Sequence, residues 1–229
     1  MIQARPTVSE LARALRSAAP TLDEGEQRLA LALYRLLLRG RPVSASELAA
    51  TVDVAEHDAE AALARWPGVF RDRKGRIIGF WGLAVRGMPH KLATSAGEIT
   101  TWCALDPLII APLVTDRAAV ESSDPISGEQ ISLTVTRTGV TDVKPTGTLV
   151  SMLSPEGKFD HDVVQNFCHF VHFFASEETG RRWVEDHAGT FLLTMDEAFE
   201  MASQSWPALF HDALLRPPSG PRERVDGGR

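Results

Sequence analysis

Only two cysteines, Cys103 and Cys168, stand in 229 residues. A disulfide scaffold is therefore not what holds this chain together, and with 44% hydrophobic residues an ordinary core can form without one. No CxxC occurs, which removes a thioredoxin-like redox motif, and the close ligand pairs of structural zinc are missing as well. Long apolar runs are also lacking. A membrane helix needs roughly 20 apolar residues, whereas the central stretch PLIIAPLV is short and carries two prolines. The N-terminal MIQARPTVSELARALRS has no apolar signal region, so a cytoplasmic protein with no membrane partner is expected. In that reducing compartment both thiols stay free. Positive charge is in deficit. Twenty-four Lys and Arg against 30 Asp and Glu give a net charge of −6, which makes a whole-chain affinity for nucleic acid or anionic lipid a poor fit. There is no internal repeat.

Helical spacing of apolar residues marks 7–19 behind Thr7 or Ser9, and 24–39 up to Gly40. A short helix SELAATV comes next, capped by Ser44 or Ser46, then a turn at Asp53 and a helix AEHDAEAALARW that ends before Pro67. VFRDRKGRIIGFWGLAV reads as two short strands around a Lys74-Gly75 turn. Helix–turn–helix and then a hairpin is the pattern of a winged helix. The helix that would read DNA carries Glu56, Asp58 and Glu60 against Arg65, so phosphates would be repelled along most of it. The basic hairpin residues Arg71, Arg73, Lys74 and Arg76 read most simply as a solvated loop.

From about Met88 the character changes to short alternating strands, ISLTVTRT and GTLVSML, separated by turns. SEETGRRWVEDHAG reads as a helix capped by Ser176 with a capping-box glutamate. DEAFEMASQSWPALFHDALL is a last helix interrupted at Pro207. The expected fold class is α+β: an N-terminal winged-helix-like helical domain over 1–86, packed on a mixed antiparallel-sheet and helix core over 87–215. The Pro-, Gly- and Arg-rich residues 216–229 are expected to form a disordered tail.

The chemistry sits in two blocks, TWCALDPLIIAPLV and QNFCHFVHFFAS. If ALDPLIIAPL is a helix, Pro107 falls in its first turn, where a missing N–H costs nothing. Cys103 then lies at or next to the N-cap with Asp106 on the same face. The helix terminus favours a thiolate, the carboxylate disfavours it, and the two groups share a proton. Such a pair can first receive and later deliver a proton. If FCHFVHFF is a strand, Cys168 and His172 share a face and His169 points away. A blander reading makes Cys168 a buried hydrophobe among phenylalanines, His172 a hydrogen-bonded core histidine and Trp102 plain core.

These blocks, in this order with SGEQISLTV between them and GRPVSASELA upstream, resemble the organomercurial lyase (alkylmercury lyase) family over most of the chain. The resemblance implies a winged-helix-like N-terminal domain on a core of the alkylmercury lyase type. It implies protonolysis of carbon–mercury bonds to a hydrocarbon and Hg(II). The family's two essential cysteines and its acid fall on Cys103, Cys168 and Asp106. Cys103 and Cys168 would hold the Hg(II) product, with Asp106 as a further ligand. It implies no cofactor and no native metal, external small thiols for product release, and transfer of Hg(II) to a mercuric reductase. The extra cysteine that some relatives carry after the second essential thiol is here His169, and Asp106 is kept where some divergent relatives carry serine. A thiol-based metal-sensing winged-helix DNA-binding regulator is the alternative reading. A cysteine hydrolase using Cys168 and His172 lacks an identifiable orienting residue.

Overall fold

The computed structural model describes residues 5–215, so the expected tail over 216–229 lies outside the described residues. Helix α1 (Val8–Ala18) and α2 (Glu24–Leu37) begin in full capping boxes, Thr7 with Glu10 and Asp23 with Glu26, which satisfy the orphan N–H groups of the first turn. Helix α3 (Ala45–Val52) is capped by Ser44, and Asp53 ends it in the left-handed region at φ 57°. Helix α4 (Glu56–Arg65) turns Ala59, Ala62 and Leu63 inward.

The hairpin after α4, made of β1 (Val69–Arg71) and β2 (Ile77–Phe80), is antiparallel. Part of its charge is used internally. Arg71 pairs with Glu60 at 2.7 Å, Arg76 with Asp72 at 2.7 Å, and Arg65 of α4 with Glu26 at 2.7 Å. Two of the hairpin's four cations, Arg71 and Arg76, are thus engaged with carboxylates, which lowers the charge that a DNA-reading winged helix would offer to phosphate.

Strands β3 (Leu83–Ala84), β4 (His90–Thr94) and β5 (Gly97–Thr101) lead to helix α5 (Leu105–Val114). After it come β6 (Arg117–Ser123), β7 (Gln130–Thr136) and β8 (Val140–Lys144). All eight strands form one antiparallel sheet in the order β1-β2-β3-β5-β4-β6-β7-β8. The pairing of β3 with β5 thus joins the hairpin to the core strands in one sheet. β6 alternates exposed and buried residues along its length, as a half-buried strand does. α5 is apolar nearly all round, with Leu105, Leu108, Ile109, Ile110 and Leu113 buried, and it packs between the sheet and helices on the other side, including α2.

The remaining elements close over α5. β9 (Leu149–Met152) is the centre of a small antiparallel sheet with β10 (Phe173–Phe174) and β11 (Phe191–Thr194) at its edges. A short helix α6 (Val163–Asn166) and a 3-10 turn (Cys168–Phe170) precede β10. Helices α7 (Glu177–Asp186) and α8 (Met195–Ser205) lead into a 3-10 turn (Trp206–Phe210) and α9 (His211–Leu215), with Pro207 at the expected break.

Two local expectations are corrected. Ser176 does cap α7, but the third position after it is Thr179, whose N–H it accepts at 3.3 Å; the glutamates stand one and two places after Ser176, so no reciprocal box forms. The FCHFVHFF stretch is not one strand. Cys168–Phe170 coils into the 3-10 turn because its backbone is claimed by neighbours: Val171 donates to the Cys168 carbonyl, Ser151 Oγ donates to the Phe170 carbonyl at 2.7 Å, and the His172 N–H donates to Ser151 Oγ at 3.0 Å. Asp124, 1% exposed at the β6–β7 turn, anchors the chain between β10 and α7. It accepts the N–H groups of Ile126, Ser127 and Ala175 and the hydroxyl of Thr179.

Candidate active site

Cys103 lies one residue before Ala104, the N-cap of α5, and Asp106 is in the first turn. The carboxylate reaches back over that turn, and Oδ2 accepts the Cys103 N–H at 2.7 Å. Pro107 occupies the first turn as expected. Cys168 arrives from the 3-10 turn, and the two thiol segments are stitched together where the Ala104 N–H donates to the Val171 carbonyl at 3.1 Å. The result brings the predicted trio together. Both sulfurs and a carboxylate oxygen lie within 4.8 Å of one another, and both cysteines are free and buried.

The electrostatics come from burial. Asp106 is pushed up to about 7, chiefly because burial disfavours its charge, with the hydrogen bonds from Cys103 and Trp102 working the other way. Burial likewise drives Cys103 well above the ordinary thiol value, helped by its hydrogen bond to Cys168 and by the nearby carboxylate. For Cys168 the hydrogen bond from Cys103 favours the thiolate, but burial and the Asp106 charge leave it raised overall. Both thiols are thus held protonated by burial.

A cavity of about 50 Å³ opens onto Cys168 and Asp106. Its walls are aromatic and aliphatic: Trp81, Trp102, Phe159, Phe167 and Trp206, with Leu15 from α1. Cys103 is not among its lining residues and sits behind the other two. His169 and His172 belong elsewhere. His172 Nε2 bonds the His169 carbonyl at 2.8 Å and its ring lies edge-on to Trp183, at 4.8 Å between centroids. The expectation that Cys168 and His172 share a strand face is therefore corrected, since the 3-10 turn breaks the alternation on which it rested.

Sequence reasoning missed the wall contributed by the first helices and by the FWG segment. Trp81 has φ 32° and Gly82 φ 98°, and a β-carbon on Gly82 would meet Asp106 Oδ1 at 2.5 Å. A glycine inside a strand-like run is the signal that could have found it, because such glycines mark close approach of the backbone to another group.

Comparison with known proteins gives the family. A family model described as alkylmercury lyase matches residues 83–206, and one described as the helix-turn-helix domain of alkylmercury lyase matches residues 7–81. The alkylmercury lyase of Pseudomonas putida is 36% identical over 171 residues, covering 75% of this chain and 79% of that protein. That of Streptomyces lividans is 33% identical over 177 residues, covering 77% and 81%. The crystal structure of the mercury-bound form of MerB2 superposes with a TM-score of 0.67 over 93% of this chain and 100% of that one, at 19% identity, and so shares the fold. The chain belongs to the alkylmercury lyase family, and it is an enzyme of that family.

Proposed function

We propose that the chain cleaves organomercurials by protonolysis, with Cys168 and Cys103 as the sulfur ligands and Asp106 as the proton carrier. The observation that carries this reading is the trio itself: two free sulfurs and a carboxylate within 4.8 Å of one another at an apolar cavity. Mercury is soft and thiolate is the protein ligand that competes for it. An organomercurial R–Hg–X first meets Cys168, which lines the cavity while Cys103 does not. A sulfur–mercury bond forms, the mercury–X bond breaks, and the Cys168 proton leaves with X. Cys103 then gives its proton to Asp106 and binds the same mercury. Two sulfurs raise the electron density on the mercury-bound carbon, and Asp106 returns the proton to it. R–H departs and Hg(II) stays on the two sulfurs. The balance is R–Hg–X plus two thiols giving R–H, HX and a dithiolate mercury.

Asp106, with its proton affinity poised at about 7, is suited to both halves of that transfer. The aromatic walls take the organic group and keep water from competing for the proton. No redox step occurs, so no cofactor is called for. Two sulfurs hold Hg(II) tightly, so release calls for external small thiols or a receiving protein such as a mercuric reductase. No helix among the described residues is long and apolar enough to cross a membrane. The reading puts the enzyme in the cytoplasm, where small thiols are abundant. Purified protein incubated with phenylmercury and excess small thiol is expected to release benzene into the headspace; absence of benzene with both thiols intact would overturn the reading.

A further inference from the structure

Tyr34 is the single tyrosine of the chain and sits in the last turn of α2, 0% exposed. Its neighbours on the buried side of that helix, among them Ala30, Leu33 and Leu37, are apolar. A buried phenol needs a partner. Its acceptor is 47 residues away: the hydroxyl donates to the Trp81 carbonyl at 2.9 Å. Trp81 is one of three non-glycine residues with positive φ among the described residues, and a tryptophan does not hold that conformation without outside support. The Trp81 indole N–H adds a second tie, to the Pro67 carbonyl at 2.6 Å. The next residue, Gly82, accepts the Trp102 N–H at 2.9 Å and lies flat against the Asp106 carboxylate.

We infer that Tyr34 is a positioning residue for Asp106: its hydroxyl pins the Trp81–Gly82 turn, and that turn holds the carboxylate on the Cys103 amide beside the two sulfurs. Remove the hydroxyl and the Trp81 carbonyl is left buried without its donor. The left-handed turn then relaxes, Gly82 shifts, and the face that Asp106 leans on is lost. Misplacement of a proton carrier affects the chemical step and spares capture of mercury, which the sulfurs perform. The inference rests on the lyase reading and adds to it a side chain from the N-terminal helices.

The test is Tyr34→Phe, read in two ways. In benzene release from phenylmercury, kcat is expected to fall about tenfold or more with KM little changed. Combined with Asp106→Asn it is expected to cost nothing further, because the residue it positions is gone. A rate unchanged by Tyr34→Phe, a change in KM alone, or the same fold-loss in both backgrounds would overturn the inference. The second reading needs no activity. Cysteine labelled with nitrogen-15 gives two amide signals, one for Cys103 and one for Cys168. In Tyr34→Phe the Cys103 signal is expected to move toward its position in Asp106→Asn while the Cys168 signal stays. A stationary Cys103 signal sinks the positioning role even if the wild type cleaves phenylmercury. A wild type that releases no benzene sinks the lyase reading and leaves this signal to decide the positioning. Should Tyr34→Phe not fold, 3-fluorotyrosine at the chain's one tyrosine strengthens the donor without deleting it. The Cys103 signal is then expected to move the opposite way, and no movement overturns the inference.

Discussion

The α-carbon of Gly82 closes on the carboxylate of Asp106 so tightly that a β-carbon there would stand 2.5 Å from Oδ1 and 2.6 Å from Cγ. Gly82 also sits at φ 98°, where any side chain is strained. Gly82→Ala is therefore expected to push the carboxylate off the Cys103 amide. Benzene release should fall at least about tenfold, and the strain of about 1–3 kcal/mol should lower the melting temperature by several degrees. Full activity in Gly82→Ala would show that the carboxylate position is not critical.

The two sulfurs should not be equivalent. Cys168 lines the cavity and Cys103 lies behind it. Serine in place of either leaves a hard oxygen that competes poorly for mercury, so both Cys103→Ser and Cys168→Ser should lose turnover. They should differ in capture. Intact-protein mass spectrometry is expected to find the phenylmercury adduct forming quickly on Cys103→Ser, and at least about ten times more slowly on Cys168→Ser. Equal capture rates would reverse the assigned order of attack.

Asp124 has no part in the chemistry but fixes the segment that carries Cys168. Burial works against its charge, yet the hydrogen bonds from Thr179, Ala175, Ser127 and Ile126 prevail and hold it below the ordinary carboxylate range. A depressed value means stability that is present above the unfolded value of 3.8 and lost as pH falls through the folded one. Asp124→Ala strands those donors and should cost about 2–4 kcal/mol at neutral pH, with the loss shrinking in acid. Thermal unfolding across pH checks both; an equal loss at all pH values would contradict the account.

Local signals are readable at most places where a short-range interaction decides the outcome, the glutamate expected to complete a box with Ser176 being the exception. The capped start of α1, the turn at Asp53 and the place of Cys103 beside the α5 N-cap are all decided by residues within a few positions. The reading failed where distant groups decide. The aromatic-rich run around Cys168 can be read as a strand, but Ser151 and Ala104 claim the carbonyls of Phe170 and Val171 and bend the chain into a 3-10 turn. That bend delivers the Cys168 sulfur to Cys103. Spacing also hid the role of the N-terminal helices. Leu15 and Tyr34 look like ordinary core positions, and only the packed fold makes one a wall of the cavity and the other a support for Trp81.

Asp106 ties stability and activity to pH in opposite directions. Its carboxyl is raised by burial to about 7 from 3.8. A raised acid binds its proton more tightly folded than unfolded, so its contribution is full below pH 3.8 and is lost as pH climbs to about 7. Asp106→Asn cannot ionise, so it should gain stability over the wild type by about 2–4 kcal/mol on going from pH 4 to pH 8. Catalysis runs the other way. The carboxylate must be ionised to take the proton of Cys103, so kcat/KM should rise through a limb near pH 7. Denaturant unfolding of both proteins at pH 4 and pH 8, together with benzene release across the same range, tests the pair. If the pH 7 limb persists in Asp106→Asn, another group carries the proton.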